Sequence, residues 1–246
     1  VVDHAIDVRA YSSSTPNPRR LSMIKFYFSG APNPMKVALF LEEAGVAYEP
    51  IPIDTRKGDQ HAPEFTAINP NRKVPVIVDG DATVFDSNAI LLYLAEKTGQ
   101  FLPPASERGQ MLSWLMFVAT GVGPFSGQSV HFNHHAPEKI GYAIDRYTFE
   151  VKRHYGVLND HLDGKSYMVG DTYSIIDMDV WGWARMAPFV TADDNIWASF
   201  PNLKRLVDEI EAKPAAQTAL ALKDKFTFKA EMDDEARRNM FRHLAT

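Results

Sequence analysis

Apolar runs of strand length all lie before residue 86 of this chain, and beyond the Pro103-Pro104 pair none recurs before the tail. This switch in apolar period, from two to about 3.6, divides the chain into an α/β region and a helical region. In the α/β region, Ile24, Phe26 and Phe28 alternate with Lys25 and Tyr27, the pattern of a strand with one buried face. The spacing of Val37, Phe40, Leu41 and Ala44 predicts a helix over 34–44, with Asn33 as N-cap, Pro34 at its first position and Gly45 as the stop. Residues 48–53 read as a strand, but Pro50 and Pro52 have no N–H to give a ladder, which confines it to a sheet edge. Residues 76–78 and 83–85 form a hairpin across Asp79-Gly80. Ser87 then caps a helix whose Ile90, Leu91, Leu94 and Ala95 face a core and which closes at Thr98-Gly99. The order β-α-β-loop-β-β-α, with room for a short helix in the loop, is the thioredoxin-like topology.

Residues 101–106 read as a linker. Helical spacing follows over 107–118, 137–162 and 201–213, the last stopped by Pro214. The most specific local signal is Tyr173-Ser174-Ile175-Ile176-Asp177-Met178. Ser174 and Asp177 have the spacing of a capping box, Tyr173 and Met178 that of a hydrophobic staple, and the helix they start runs to about residue 187. Residues 223–229 alternate charges with Phe226 and Phe228 and read as a segment folded back over the chain's own helices, before a short helix over 235–244. Residues 12–18 are a Ser/Thr/Pro/Asn cluster, and Asp3 and Asp7 do not suit a leader peptide. The expected organisation is an extension over 1–22, a thioredoxin-like domain over 23–100, an all-helical domain over 101–225 and a tail over 226–246.

The 246 residues are 45% hydrophobic, enough for a sizeable core, and the net charge of −5 argues against a nucleic-acid partner. No apolar run approaches the roughly 18–20 residues that a membrane helix needs. With zero cysteines there is no disulfide, no thiolate metal site and no cysteine nucleophile, so any thiol chemistry takes its sulfur from a ligand. HExxH, GxSxG and GxxxxGK[ST] are absent. His131, His134 and His135 are spaced like a helix-face metal site, but no nearby cysteine or carboxylate pair completes it. They read instead as a polar interface or solvated turn, and no metal is expected. Asp86-Ser87 stands where a strand ends and a helix begins, a place that suits a ligand carboxylate and equally a simple cap.

Val74-Pro75, Asp86-Ser87 and Ser174-Ile175-Ile176-Asp177, in this order and in these two domains, resemble a cytosolic glutathione transferase over about residues 23–215. The resemblance implies the glutathione transferase fold and a cis bond before Pro75. Val74 then pairs its backbone with the cysteinyl part of glutathione, and Asp86 and Ser87 hold the γ-glutamyl group. Tyr27-Phe28 with Pro32-Asn33, residues 57–60, 121–128, His131-Phe132-Asn133-His134 and 142–147 look like the bacterial Nu-class and Ure2-like branch. That branch implies a cytoplasmic homodimer that uses glutathione or its disulfide, reducing disulfides or attacking an aryl ether or other electrophilic small-molecule co-substrate. It also implies that Arg146 reaches the ligand. Gln60, Arg72 and Lys73 are placed to receive the glycyl carboxylate. The chain departs from the branch at Ala31, where a threonine hydroxyl usually contacts the sulfur. The expected sulfur partners are therefore Asn33, or Ser29 if the loop bends differently. Phe117, Phe125, Trp183 and Phe189 are candidates for the co-substrate wall, and the His131–His135 segment suits an intersubunit surface. The departure at Ala31 keeps open a non-catalytic glutathione-binding regulator on the same fold.

Overall fold

In β1 (Ile24–Phe28) the side chains of Ile24, Phe26 and Phe28 are buried and Lys25 is exposed, as a period of two requires. The computed structural model that shows this describes residues 23–244, so the expected extension over 1–22 lies outside the described residues. β2 (Tyr48–Pro52) runs parallel to β1, with Phe26 opposite Pro50 and Phe28 opposite Pro52. β3 (Val76–Asp79) is antiparallel both to β1 and to β4 (Ala82–Phe85). The sheet order is β2-β1-β3-β4, which puts the proline-bearing strand at an edge. Two helices of twelve residues, α1 (Pro32–Glu43) and α3 (Ser87–Thr98), pack against each other. The long loop after β2 holds a short helix, α2 (Pro63–Ile68).

The C-terminal domain contains only helices and turns among the described residues, and the two domains together form a glutathione transferase fold. α4 (Arg108–Phe117) does not end where its spacing fades. It continues through a π turn at Val118–Val122 into α5 (Gly123–Val130) and a second π turn at His131–His135. Residues 123–130 include two glycines and a proline, weak helix formers that hide the continuation from the sequence. A tertiary contact supports it: a Cβ on Gly121 would lie 2.4 Å from Nε2 of His154, so only glycine lets that imidazole lie against the helix. α6 (Gly141–His161) starts a turn later than its spacing suggests.

In α7 (Ile175–Ala184) every residue is buried. Its start is the capping box the sequence announces: the Ile176 N–H donates to Ser174 Oγ at 3.3 Å, and the Ser174 N–H to Asp177 Oδ2 at 2.8 Å. The helix stops at 184, and a separate short helix, α8 (Ala187–Thr191), follows. α9 (Pro201–Glu211) ends before Pro214, and the same proline then opens α10 (Pro214–Ala221), since a first helical position needs no N–H. The tail differs most from expectation. Phe226 and Phe228 meet Phe28 edge-on at 5.5 and 6.0 Å, and the chain crosses the loop after β2 before ending in α11 (Asp234–Met240) and a 3₁₀ turn. That loop, rather than the chain's own helices, supplies the polar partners an extended segment needs. The Lys229 N–H donates to Asp54 Oδ2 at 2.6 Å, while Arg56 Nη1 donates to the carbonyls of Lys229 and Ala230 at 2.9 and 2.7 Å.

A buried ion pair joins the two domains. Lys36 on α1, 1% exposed, meets Asp179 on α7, 0% exposed, at 2.8 Å. Asn88 on α3 donates to Asp179 Oδ2 at 2.6 Å and to the Leu115 carbonyl at 2.9 Å. Gly182 makes room for the lysine stem, since a Cβ there would stand 2.3 Å from Lys36 Cγ. Burial pushes Asp179 up to about 6, opposed by the charge and hydrogen bond of Lys36. Removing one member of such a pair strands the other charge in a dry site. Lys36→Met should therefore cost about 3–5 kcal/mol in urea denaturation at neutral pH. The double variant Lys36→Met/Asp179→Leu should recover most of that loss. A single variant within about 1 kcal/mol of wild type, or a double variant no better than the single, contradicts this.

Candidate functional site

A cleft of 540 Å³ opens where the N-termini of α1 and α3 face the α4–α5 helical run and α7. This volume falls in the range of small-molecule sites, about 300–1,000 Å³. Asn33, Lys73, Asp86, Ser87 and Trp183 line it, so four of the expected ligand residues and one of the expected wall residues come together.

At α3 the roles of two neighbours are exchanged. Ser87 is the expected cap, but the helix begins with Ser87, and Asp86 caps it, accepting from the N–H groups of Asn88 at 2.9 Å and Ala89 at 3.3 Å on Oδ1. Asp86 does so at φ 74°, a backbone conformation that costs a non-glycine residue about 1–3 kcal/mol and tends to occur where function needs it. Only Oδ1 takes part in the cap, and Oδ2 does not. Ser87 donates its hydroxyl to Asn88 Oδ1 at 3.1 Å.

The start of α1 is also corrected. The helix begins at Pro32 with Ala31 as N-cap, so Asn33 is the second helical residue rather than the cap. Pro32 and Pro34 carry no N–H, so Asn33 is the one residue of the first three with a backbone donor. Its side-chain oxygen accepts from Trp183 Nε1 at 2.9 Å, not from Met35 or Lys36. Amide chemistry then leaves its NH₂ group to donate into the cleft. The start of α5 comes close to the same indole, since a Cβ on Gly123 would lie 3.2 Å from Trp183 Nε1.

Lys73 is presented by a loop that buried Asn69 organises, donating to the Lys73 carbonyl at 2.7 Å and accepting from the Asn71 N–H at 2.9 Å. Val74-Pro75 is cis, but neither residue lines the cleft; Val74 packs with Ile53, Phe65 and Val76. Four more expected ligand residues lie elsewhere, Arg72 among them, at φ 55° on the loop before Lys73. Ser29 is buried and accepts from the Ala31 N–H at 3.4 Å. Gln60 is buried under the tail, donating to the carbonyls of Thr55 at 3.2 Å and Asn239 at 3.0 Å. Arg146 is drawn off the cleft by Glu150 one turn along α6, which Arg153 also holds at 2.8 Å. Phe117 and Phe125 turn to His154, each with ring centroids 5.1 Å from the imidazole, and Phe189 stacks on His134 at 4.1 Å. Lys36, Asn71, Gln128, His131, Phe241 and His243 also line the cleft. Gln128 and His131 lie in segments whose resemblance hinted at a site, but nothing in the sequence points to Phe241 or His243. Among the described residues no group of three or more His, Asp or Glu side chains is placed to hold a metal ion, and no helix is long and apolar enough to cross a membrane.

The glutathione S-transferase N-terminal domain matches residues 21–96, and the glutathione S-transferase C-terminal domain matches residues 129–221. The disulfide-bond oxidoreductase YfcG of Escherichia coli is 42% identical, over 87% of this chain and 98% of its own length. A glutathione transferase from Pseudomonas putida, solved with one glutathione disulfide bound per subunit, superposes with a TM-score of 0.77 at 36% identity, covering 81% of this chain and 91% of that one. One from Burkholderia graminis, with two glutathione molecules per subunit, gives the same TM-score and identity over 83% and 90%.

At the cleft rim the histidines lie against the chain's own tail: Phe241 meets His131 at 4.7 Å and His135 at 5.9 Å. Burial pushes His135 down to about 4, helped by His134, His131, Arg56 and Arg237. Unfolded, the same ring titrates near 6.5, so between these values the folded chain binds fewer protons than the unfolded one. The contribution of His135 to stability is therefore full above about pH 6.5 and lost as pH falls toward 4. Urea midpoints across that window should fall less for His135→Gln than for wild type. Equal losses in the two proteins would contradict this assignment.

Proposed function

The chain belongs to the glutathione S-transferase family, and on that premise we propose that it binds glutathione in the cleft and uses the bound thiolate to reduce disulfides. The observation that carries this reading is the convergence of Asn33 and the Asp86-Ser87 helix start on one cleft in a chain with no cysteine of its own. Asp86 Oδ2 takes the ligand's α-ammonium, while Ser87 and the α3 N-terminus hold its carboxylate. Lys73 receives the glycyl carboxylate from the facing loop. Asn33 donates to the sulfur and favours its thiolate. That thiolate attacks one sulfur of the co-substrate disulfide; a new S–S bond forms as the old one breaks, and the second sulfur departs as a thiolate. A second glutathione completes the reduction by attacking the mixed disulfide, which yields glutathione disulfide. The name of the Escherichia coli relative and the two glutathione molecules in the Burkholderia graminis structure support this choice over attack on an aryl ether. The same relatives favour the Nu-like branch and, with it, action in the cytoplasm. The division at residues 100 and 225 stands as part of this reading.

Two variants separate the roles. Asn caps a helix as well as Asp, so Asp86→Asn keeps the α3 cap and removes only the charge. Glutathione binding should weaken by roughly ten- to a hundredfold, the worth of a charge-assisted contact. Asn33→Ala should leave binding closer to normal but raise the pKa of the bound thiol, read by thiolate absorbance, and lower turnover. An unchanged dissociation constant in the first, or an unchanged thiol pKa and rate in the second, rejects the assigned role.

A non-catalytic binder is the second reading, favoured by Ala31, whose methyl stands at the α1 N-cap where a hydroxyl would serve the sulfur. Turnover of a simple disulfide by glutathione above the uncatalysed rate decides between the two.

We also propose a homodimer. Tyr142, Phe149 and Val157, at 81%, 61% and 38% exposure, lie along one side of α6 by helical spacing, and Phe85 at the end of β4 is 41% exposed. Sedimentation at micromolar concentration should give twice the chain mass, and Phe149→Lys should shift it toward one chain. A wild-type monomer overturns the proposal.

A further inference from the structure

We propose that the tail builds the outer wall of the cleft and that Phe241 selects the group carried on the far side of the glutathione sulfur, favouring an aromatic or bulky apolar one. This rests on glutathione occupying the cleft as argued above. Among Phe, Tyr and Trp residues of the described chain, only Trp183 and Phe241 line the cleft. The phenylalanines expected to form that wall, Phe117, Phe125 and Phe189, are engaged by histidines outside it. The tail therefore supplies one of the two aromatic rings offered to a co-substrate, beside the smaller apolar residues Val118, Ala119 and Pro124.

The wall is seated rather than loose. The Asn239 carbonyl accepts from Gln60 Nε2 at 3.0 Å and from His61 Nε2 at 2.8 Å, and its side chain donates to the Arg56 carbonyl at 2.9 Å. Gly58, at φ +93°, leaves space for that side chain, since a Cβ there would stand 3.1 Å from it. Asp233 caps α11 by accepting from the Ala236 N–H at 2.8 Å, and Arg56 grips the chain at residues 229–230. Beyond this anchor the Phe241 ring lies across His131 at an interplanar angle of 69°. Gln60 thus acts on the cleft through the tail: its donors hold Asn239, and Asn239 sets the position of Phe241. Asn239 is a positioning residue and Phe241 the contact residue.

Calorimetric binding of glutathione and S-benzylglutathione tests this without relying on turnover. For Phe241→Ala, S-benzylglutathione should bind about tenfold more weakly than to wild type, as the loss of one aromatic contact implies, while glutathione stays within about twofold. Phe241→Tyr should restore the preference. Asn239→Ala, which touches only the anchor, should weaken S-benzylglutathione in the same direction. If wild type binds glutathione and Phe241→Ala leaves the ratio of the two affinities unchanged, the wall inference is overturned and the function stands. If wild type binds neither compound, the reading beneath both is overturned.

Discussion

A buried ion pair at the floor of the cleft sets the positions of the groups that face it. Lys36 and Asp179 are almost fully buried, a state that costs several kcal/mol per charge unless the two stay together with their remaining hydrogen bonds filled. Asn88 fills one of them. Each member sits on a different helix, and each is within a turn of a cleft group: Asn33 precedes Lys36 by three residues, Trp183 follows Asp179 by four, and Asp86-Ser87 adjoins Asn88. Because i, i+3 and i, i+4 neighbours share a helix face, fixing the pair fixes Asn33 relative to Trp183, and the 2.9 Å bond between them follows. The domain interface and the site share one set of constraints. A helix shift that opened the cleft would have to pull a buried cation away from its buried anion.

The α1 terminus shows what the site can and cannot do to a sulfur. A helix start normally presents several free N–H groups, but Pro32 and Pro34 remove two of them here and leave Asn33. The peptide dipoles remain and contribute up to about 2 kcal/mol to an anion. A hydrogen bond to a charged group adds about 1.5–3 kcal/mol. At 1.36 kcal/mol per pKa unit these favour the thiolate of a ligand whose free pKa is near 8.5, before desolvation opposes them. In the proposed chemistry nearly all of the directional contribution comes from one residue, whose oxygen is already committed to Trp183. That commitment fixes which way the amide faces, so its donor end has one orientation.

Legibility in the sequence followed the range of the interaction. The capping box of α7 spans four residues and uses chemistry specific to them, so Ser174 and Asp177 were readable outright. The edge position of β2 followed from two prolines. Asp86 and Ser87 are both good caps, and the choice between them depends on a positive φ that local sequence does not announce. Asn33 looked like a cap because its true partner, Trp183, lies 150 residues away. Gln60 looked like a ligand group because the carbonyl that occupies it belongs to Asn239, 179 residues on. The helical run through 123–135 was hidden because a buried histidine from another helix, not helix propensity, makes Gly121 fit. Arg146 is held off the cleft by Glu150 one turn on in its own helix, and ring contacts with histidines distant in sequence engage the aromatic residues of the helical domain.

Phe241 and His243 come after every other residue that lines the cleft. Their docking surface, residues 54–61 and 131–135, is made much earlier on a ribosome adding about 5–20 residues per second. Translation therefore produces a groove before it produces a wall. In the proposed reading, a nascent chain that has reached residue 230 already carries Asn33, Lys73, Asp86 and Trp183 but lacks the ring that screens what lies beyond the sulfur. Affinity for the thiol peptide and discrimination among its reaction partners thus arise at separate moments in the life of one polypeptide.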